Sequence, residues 1–393
     1  MSVDDSSALP LSGITVIELG SLIAGPYAGS LFAQFGAEVI KVEPPGGDPL
    51  RTWRKLHGDT SLWWYVQSRN KKSVALDLAS TDGQAALKKL VERADVVIEN
   101  FRPGTLERWG LGWAELSQIN PKLVMLRVSG YGQDGPKRDL PGFAAIAEAV
   151  GGLRYVTGFA DRPPVRTGVS LGDTLAALYG TIGTMVALHH VKNGGAGQVV
   201  DMALNEAVFA VMESLVPEYS TQGFIRERSG ASLPGIAPSN TYECADGRHV
   251  VIAANADSLF QRLMIAIDRE DLAKDPGLQR NDGRVAHADE LDAAINAWTS
   301  RLPIDEVVRR LELAAVPASK IHSAADIVND PQLQARGMLE SARLPDGLRL
   351  TIPGIVPKLS ATPGRTRWLG PRLGAHSEEI LGAPPPVLTT KPD

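Results

Sequence analysis

The first half of the chain alternates short apolar runs with longer amphipathic stretches. Ile14–Leu19, Ala37–Val42, Asp95–Ile98, Leu123–Val128 and Gln198–Met202 are short and β-rich, and each predicts a strand. Helix-like stretches lie between them, from Ala24 to Phe35 and over Thr81–Arg93, Ala144–Val150 and Leu204–Leu215. Strand, Gly-containing turn, helix and strand make a βαβ unit, which predicts a parallel sheet and an α/β fold. The longest periodic stretch predicts a helix over 173–192, where Leu175, Leu178, Ile182, Met185 and Val186 recur at the three-four spacing of one helical face. Gly172 precedes this stretch and no apolar period extends further back, so the helix is expected to begin at Asp173.

Where the strands stop, the loops turn polar. The first strand runs into Gly20 and then AGP at Ala24–Pro26, with Pro26 suited to the first turn of a helix. This turn lacks the G-x-G-x-x-G pattern, so no dinucleotide fingerprint is present. Asp95–Ile98 runs into ENFRPG, placing Asn100, Phe101 and Arg102 at the carboxyl edge of the sheet, and Leu123–Val128 runs into SGYGQDGP. Open α/β sheets bind ligands along that edge. Asp173 has two readings here: a helix N-cap, or a carboxylate nucleophile kept ionised by the helix N-terminus. Position alone does not choose between them. The cations Arg69, Lys71 and Lys72 of SRNKK form either a solvated turn or a grip for phosphates.

From Glu218 the pattern changes. Ser220–Pro238 is rich in Gly, Ser, Pro and Arg without a period and reads as a loop. Asn240–Cys244 and His249–Ala253 predict a hairpin turning at Asp246–Gly247, followed by helices at Ser258–Ile267, Ala286–Thr299 and Ile304–Ala315. From His322 the chain returns by helices to short strands near Gly337–Arg343 and Leu348–Pro353, and a last helix at His376–Leu381. The expected organisation is a large domain from 1–217 and 322–393, with a linker and a smaller α+β domain over 218–321.

Composition narrows the classes. The 393 residues carry a formal net charge of -5, so no bulk attraction to nucleic acid or anionic membrane is expected. Cys244 is the only cysteine, which excludes an intrachain disulfide and a cysteine-based metal cluster and suits a reducing cytosol. No metal-binding or redox-cofactor motif is found. No apolar run is counted as reaching transmembrane length, and the opening MSVDDSSALP lacks the basic and apolar regions of a signal peptide, so it is expected to fray. The tail PPPVLTTKPD is expected not to pack. His57, His189, His190 and His376 are read as structural.

Several of these stretches together resemble the family III CoA-transferases, the CaiB/BaiF group that includes formyl-CoA transferase. They are AGP, GAEVIKVEPPGGDPLR, RNKKSVALDL, VIENFRPG, SGYGQDGP, GDTLAALYG, the Pro238–Asn240 hairpin entry and PRLGAHSEEILG. Each alone is weak, whereas their order and spacing are specific. The resemblance implies a Rossmann-like large domain, a smaller inserted domain and an interlocked homodimer. It implies transfer of CoA from an acyl-CoA donor to a small carboxylic acid, with acyl-CoA as substrate and no permanently bound cofactor or metal. It also implies that Asp173 is the nucleophile, forming an aspartyl anhydride and then an aspartyl-CoA thioester.

Carried over position by position, Ile23 and Ala24 sit near the reacting groups. Ile23 replaces a Gln of formyl-CoA transferase, which argues against an oxalate-like substrate. Arg69, Lys71 and Lys72 match a basic CoA-binding stretch, and Asn100, Phe101 and Arg108 match further CoA contacts. Ser229–Gly235 reads SGASLPG where formyl-CoA transferase has a closing glycine-rich loop, which makes Gly230 and Gly235 substrate-side candidates. PVRTGVSLGD resembles the succinyl-CoA-dependent branch, and Arg166 is there either a partner for the distal carboxylate of a diacid or a structural cation. Two other readings share the fold. A CoA-ester racemase is disfavoured because Gly142 is followed by Phe143 where that branch has His. A non-catalytic CoA-thioester binder is disfavoured by the Gly172–Asp173 pair.

Overall fold

A computed structural model describes residues 9–382 of the chain. The fraying expected at the start lies almost wholly outside the described residues, and the tail expected not to pack lies wholly outside them. The described residues divide into two compact units: 9–153, 167–213 and 335–382 form the first, and 154–166 with 214–334 form the second. The sequence reading kept 154–166 with the large domain and ended the small one at 321.

The first unit is built on six parallel strands, β1 (Thr15–Glu18), β2 (Glu38–Glu43), β3 (Lys71–Ala75), β4 (Val96–Glu99), β5 (Val124–Ser129) and β6 (Gln198–Ala203). Their spatial order is β3-β2-β1-β4-β5-β6, so the winding reverses between β1 and β4. Helices cover both faces, which is why the central strands read as continuous apolar runs rather than alternating ones. On one face Val16, Ile98 and Leu126 pack with Phe32 of α1 (Ala24–Gln34) and with Ala176 and Ala177 of the long helix. On the other, Ile17, Ile40 and Met125 pack with Leu87 of α2 (Thr81–Val91) and Leu116 of α3 (Trp113–Ile119). The edge strand β3 was not legible as a strand because it begins Lys71–Lys72; its lysines find partners that propensity cannot show.

After β5 the chain passes through α4 (Ala144–Val150) and the long helix α5 (Leu171–Lys192), then β6 and α6 (Leu204–Phe209), which stops short of the expected Leu215. The α5 helix begins at Leu171 with Ser170 as N-cap, so Asp173 sits within the first turn and not at its start. Its buried face is Gly172, Ala176, Ala177, Gly180, Thr184 and Ala187. Small residues bring it close to the sheet: a Cβ on Gly180 would lie 2.9 Å from Leu126 Cδ1. The stripe read from the sequence points the other way, with Ile182 59% and Val186 67% exposed. This helix has 22 residues and a mean hydropathy of 1.3 over its most apolar window. By length and composition alone it could cross a membrane, which corrects the count of none.

The second unit carries a three-stranded antiparallel sheet of Ser239–Glu243, His249–Ala253 and Ala318–Lys320, with the predicted hairpin in register Val251↔Thr241. Phe260, Leu263, Leu291, Ile295, Val307 and Leu311 from its helices fill the core against Val250 and Ile252. Fully buried Arg284 donates to the carbonyls of Ala237, Leu278 and Asn255 and pairs with Asp257. Such a charge is stable only with every N–H engaged. The return segment rejoins the first unit through the hairpin Leu339–Arg343/Arg349–Pro353 and the helix Ser377–Leu381. His376 sits beside β3, where its Nδ1 accepts from the Ser73 amide at 3.1 Å.

Candidate active site

Open α/β sheets bind ligands in the crevice outside the carboxyl ends of the strands where the order reverses, which here falls between β1 and β4. Asn100, just past β4, fastens the β1–α1 turn across it: its Oδ1 accepts from Ser21 N at 2.7 Å and its Nδ2 donates to Ser21 O at 2.9 Å. The next residue, Leu22, is held at φ 65°. Its amide donates to Asp48 at 3.1 Å, and its carbonyl accepts from Gln67 Nε2. Ile23 and Ala24 follow, both buried at the start of α1.

Beneath this turn lies a buried ion cluster. Lys41 in β2 pairs with Glu18 at 3.0 Å and Asp48 at 2.7 Å, and donates to Gly20 O. Lys71 in β3 pairs with Glu18 at 2.7 Å and donates to Pro26 O at 2.6 Å. Room for the Glu18 carboxylate exists only because α1 has Gly29 there; a Cβ would lie 2.0 Å from Glu18 Oε2. Burial acts to lower the Lys41 pKa, but the Glu18 and Asp48 charges outweigh it and hold the group above the ordinary lysine range. For Lys71 burial wins and the pKa falls below that range. Asp48 is pushed up by burial but held below the carboxylate range by Lys41 and the Leu50 and Leu22 amides.

The cations predicted to grip phosphates are thus engaged internally. Arg69 is 5% exposed and donates to Pro353 O at 2.7 Å. Lys71 is fully buried. Lys72 is half-buried between Glu38 at 2.8 Å and Glu379 at 2.6 Å. For Arg69 and Lys71 the solvated turn does not describe side chains that are buried. Asn100 and Phe101 do stand at the crevice. Phe101 N donates to Glu99 at 2.7 Å, and its ring meets Trp109 edge-on at 5.6 Å. Burial pushes the Glu99 carboxyl up to about 7, against the pull of Arg127 at 2.7 Å. Arg108 is exposed on the helical turn Thr105–Arg108, its guanidinium donating to Thr105 Oγ1 at 3.1 Å.

Asp173 is half-buried in the first turn of α5. Buried Glu148 of α4 faces this turn, accepting from Gly172 N at 3.5 Å. A cavity of about 520 Å³ opens beside the same turn, lined by Ser170 and Thr174 from α5 and by Ile23, Trp63 and Gln67. A helix N-terminus favours negative charge nearby. Arg166 is exposed in the second unit. Gly230 and Gly235 also belong to that unit, both at positive φ; a Cβ on Gly230 would lie 2.7 Å from the Phe159 ring, and Gly235 O accepts from Asn281 Nδ2. Among the described residues no group of three His, Cys, Asp or Glu is placed to hold a metal ion. Sequence reasoning missed Glu18, Lys41, Asp48 and Glu148. The available signal was a charge inside an apolar strand, as in VIKVE and ITVIEL.

The profile of CoA-transferase family III matches residues 11–377. The chain belongs to this family. It is 51% identical over 374 residues to a succinyl-CoA–D-citramalate CoA-transferase of Chloroflexus aurantiacus, covering 95% of this chain and 93% of the relative. It is 45% identical to the beta subunit of a succinyl-CoA–L-malate CoA-transferase of the same organism, covering 96% and 94%. A crystal structure of a CaiB/BaiF family protein from Brucella suis superposes with a TM-score of 0.85 at 33% identity, covering 96% of this chain and 99% of that one. As a family III CoA-transferase the protein takes CoA thioesters as substrates.

Proposed function

We propose that this enzyme moves CoA from a succinyl-CoA-type donor to a dicarboxylic acid, with Asp173 as the covalent nucleophile. The observation that carries the substrate class is the 51% identity, along nearly the whole chain, to a succinyl-CoA–D-citramalate CoA-transferase. The location of Asp173 in the first turn of α5, beside a cavity, supports the nucleophile. An Asp173 oxygen attacks the thioester carbonyl, the C–S bond breaks, and CoA thiolate leaves a mixed anhydride. The thiolate then attacks the aspartyl carbonyl, releasing the donor acid and leaving an aspartyl-CoA thioester. The acceptor carboxylate displaces CoA from that thioester to give a second anhydride. Thiolate attack on the acceptor's acyl carbon forms the new CoA ester and frees Asp173. Each step exchanges one acyl bond for another, so the cycle needs no net proton or redox change. A panel of acyl-CoA donors against acid acceptors, read by mass spectrometry of the CoA esters, tests the substrate class. Transfer confined to monoacids would overturn it.

Arg166 is the sequence-based candidate for reading the second carboxylate. A charge-assisted contact of about 3 kcal/mol corresponds to roughly 10²-fold in specificity constant. Arg166→Gln is therefore expected to lower kcat/KM for succinate-like acids by about that factor and to change monoacids far less. Arg166→Lys, which keeps the charge without the planar fork, recovers part of the loss. Equal losses for both classes would assign Arg166 to positioning.

We further propose an interlocked homodimer. The exposed stripe of α5, with Leu178, Ile182, Met185 and Val186, is larger in apolar character than a surface helix of a lone chain needs. A second copy is the proposed cover for it. Light scattering at the lowest measurable concentration is expected to give the dimer mass, and Ile182→Asp to weaken the assembly. A folded, active monomer would reject this.

A further inference from the structure

We infer that the cavity beside the first turn of α5 receives the distal carboxylate of the acyl group, and that Arg54 and Lys55 contribute to the selection of dicarboxylic acids there, beside any contribution of Arg166. This rests on the CoA-transfer reading and adds to it the residues that read the acid.

The cavity lies wholly within the first unit, and its wall includes Ser170 and Thr174, the residues that bracket Asp173 along the helix turn. The other polar groups of the wall, on Tyr27, Trp63, Gln67, Ser170 and Thr174, are neutral. Ile23, Leu62 and Val169 are apolar, the Thr174 hydroxyl is taken by Ser170 O at 2.9 Å, and Gln67 Nε2 is taken by Leu22 O. A second carboxylate entering such a wall needs a cation. Arg54 and Lys55 are the charged residues that line it.

Their availability separates them from their neighbours. Arg51, three residues earlier, is committed to Glu43 at 2.7 Å. Lys41, Lys71 and Lys72 are in ion pairs. Among the described residues neither Arg54 nor Lys55 has a carboxylate partner, and both are exposed at the cavity wall. Arg54 is also held in place: its backbone sits at φ 60° and its guanidinium lies 4.8 Å from the Trp63 ring centroid. Stacking on a ring uses the face of the guanidinium and leaves its N–H edge for a carboxylate. The Lys55 carbonyl accepts from Leu62 N at 2.9 Å, which ties the loop to the helix Leu62–Gln67, whose Leu62, Trp63 and Gln67 also line the cavity.

The test is a competition. With succinyl-CoA as donor, equal concentrations of glutarate and pentanoate, which differ only in the terminal carboxylate, compete for the enzyme. The ratio of glutaryl-CoA to pentanoyl-CoA reads the ratio of their specificity constants. Wild type is expected to favour glutarate, and Arg54→Gln/Lys55→Gln to reduce that ratio by about tenfold or more, a factor worth about 1.4 kcal/mol. Arg54→Lys keeps part of the preference. Because both cations are exposed, raising salt is expected to erode the wild-type ratio and leave that of the double variant unchanged. A double variant that keeps the wild-type ratio overturns the assignment. If wild type makes neither product from succinyl-CoA, the transfer reading itself has failed, an outcome distinct from that one.

Discussion

Asp173→Asn is expected to lower CoA transfer by on the order of 10⁴-fold or more, the scale of removing a covalent nucleophile. The amide keeps the size of the carboxylate but cannot attack a thioester to form an anhydride. Its position in the first turn of α5 makes the fold tolerant of the change, since Asn is also accepted near helix starts. The loss should therefore fall on kcat, with CoA-ester binding retained in a calorimetric titration. Wild type incubated with acyl-CoA and hydroxylamine should be inactivated, with the mass change at residue 173. Near-normal turnover by Asp173→Asn would sink the covalent mechanism and leave the family assignment standing.

Lys41→Met is expected to destabilise the first unit by about 3–5 kcal/mol, the range for removing one partner of a buried ion pair. Lys41 is 1% exposed and joins Glu18, Asp48 and the Gly20 carbonyl. Without it Asp48 loses its cation, while Glu18 retains Lys71. The β1–α1 turn that carries Ile23 hangs on the same atoms through Leu22 N to Asp48, so activity should fall as well. Chemical denaturation measures the stability term. Adding Asp48→Asn to Lys41→Met should recover part of it, because the orphaned charge is removed. A Lys41→Met protein as stable as wild type would show that the cluster is no more than space filling.

The carboxyl edge of the sheet was legible in the sequence, though unevenly. Asn100 and Phe101 were placed at the carboxyl edge by the strand that precedes them, and they stand there. The basic stretch at Arg69–Lys72 reads from sequence either as a solvated turn or as a grip for phosphates, and neither reading shows its internal partners. Here the surrounding strands bring Glu18, Glu38 and Glu379 to it from distant parts of the chain. Sequence shows a charge but not its partner. The same limit hid Arg54 and Lys55, which are ordinary loop cations until a cavity is found beside them.

Local pattern was enough for five of the sheet strands, the hairpin of the second unit and most helices, because a buried parallel strand must be apolar on both faces and a covering helix must be periodic. Family membership was likewise readable from motifs in order along the chain. Only the tertiary structure decided which side of α5 is buried. Periodicity identifies an apolar stripe, yet Gly172, Ala176, Gly180 and Thr184 face inward because the sheet admits only small side chains at that distance, and the larger stripe is left facing out. Only the tertiary structure, too, showed Lys41, which sequence reasoning missed, and Lys71, a candidate turn or phosphate cation, to be buried supports of the turn, since burial of a charge depends on partners remote in sequence.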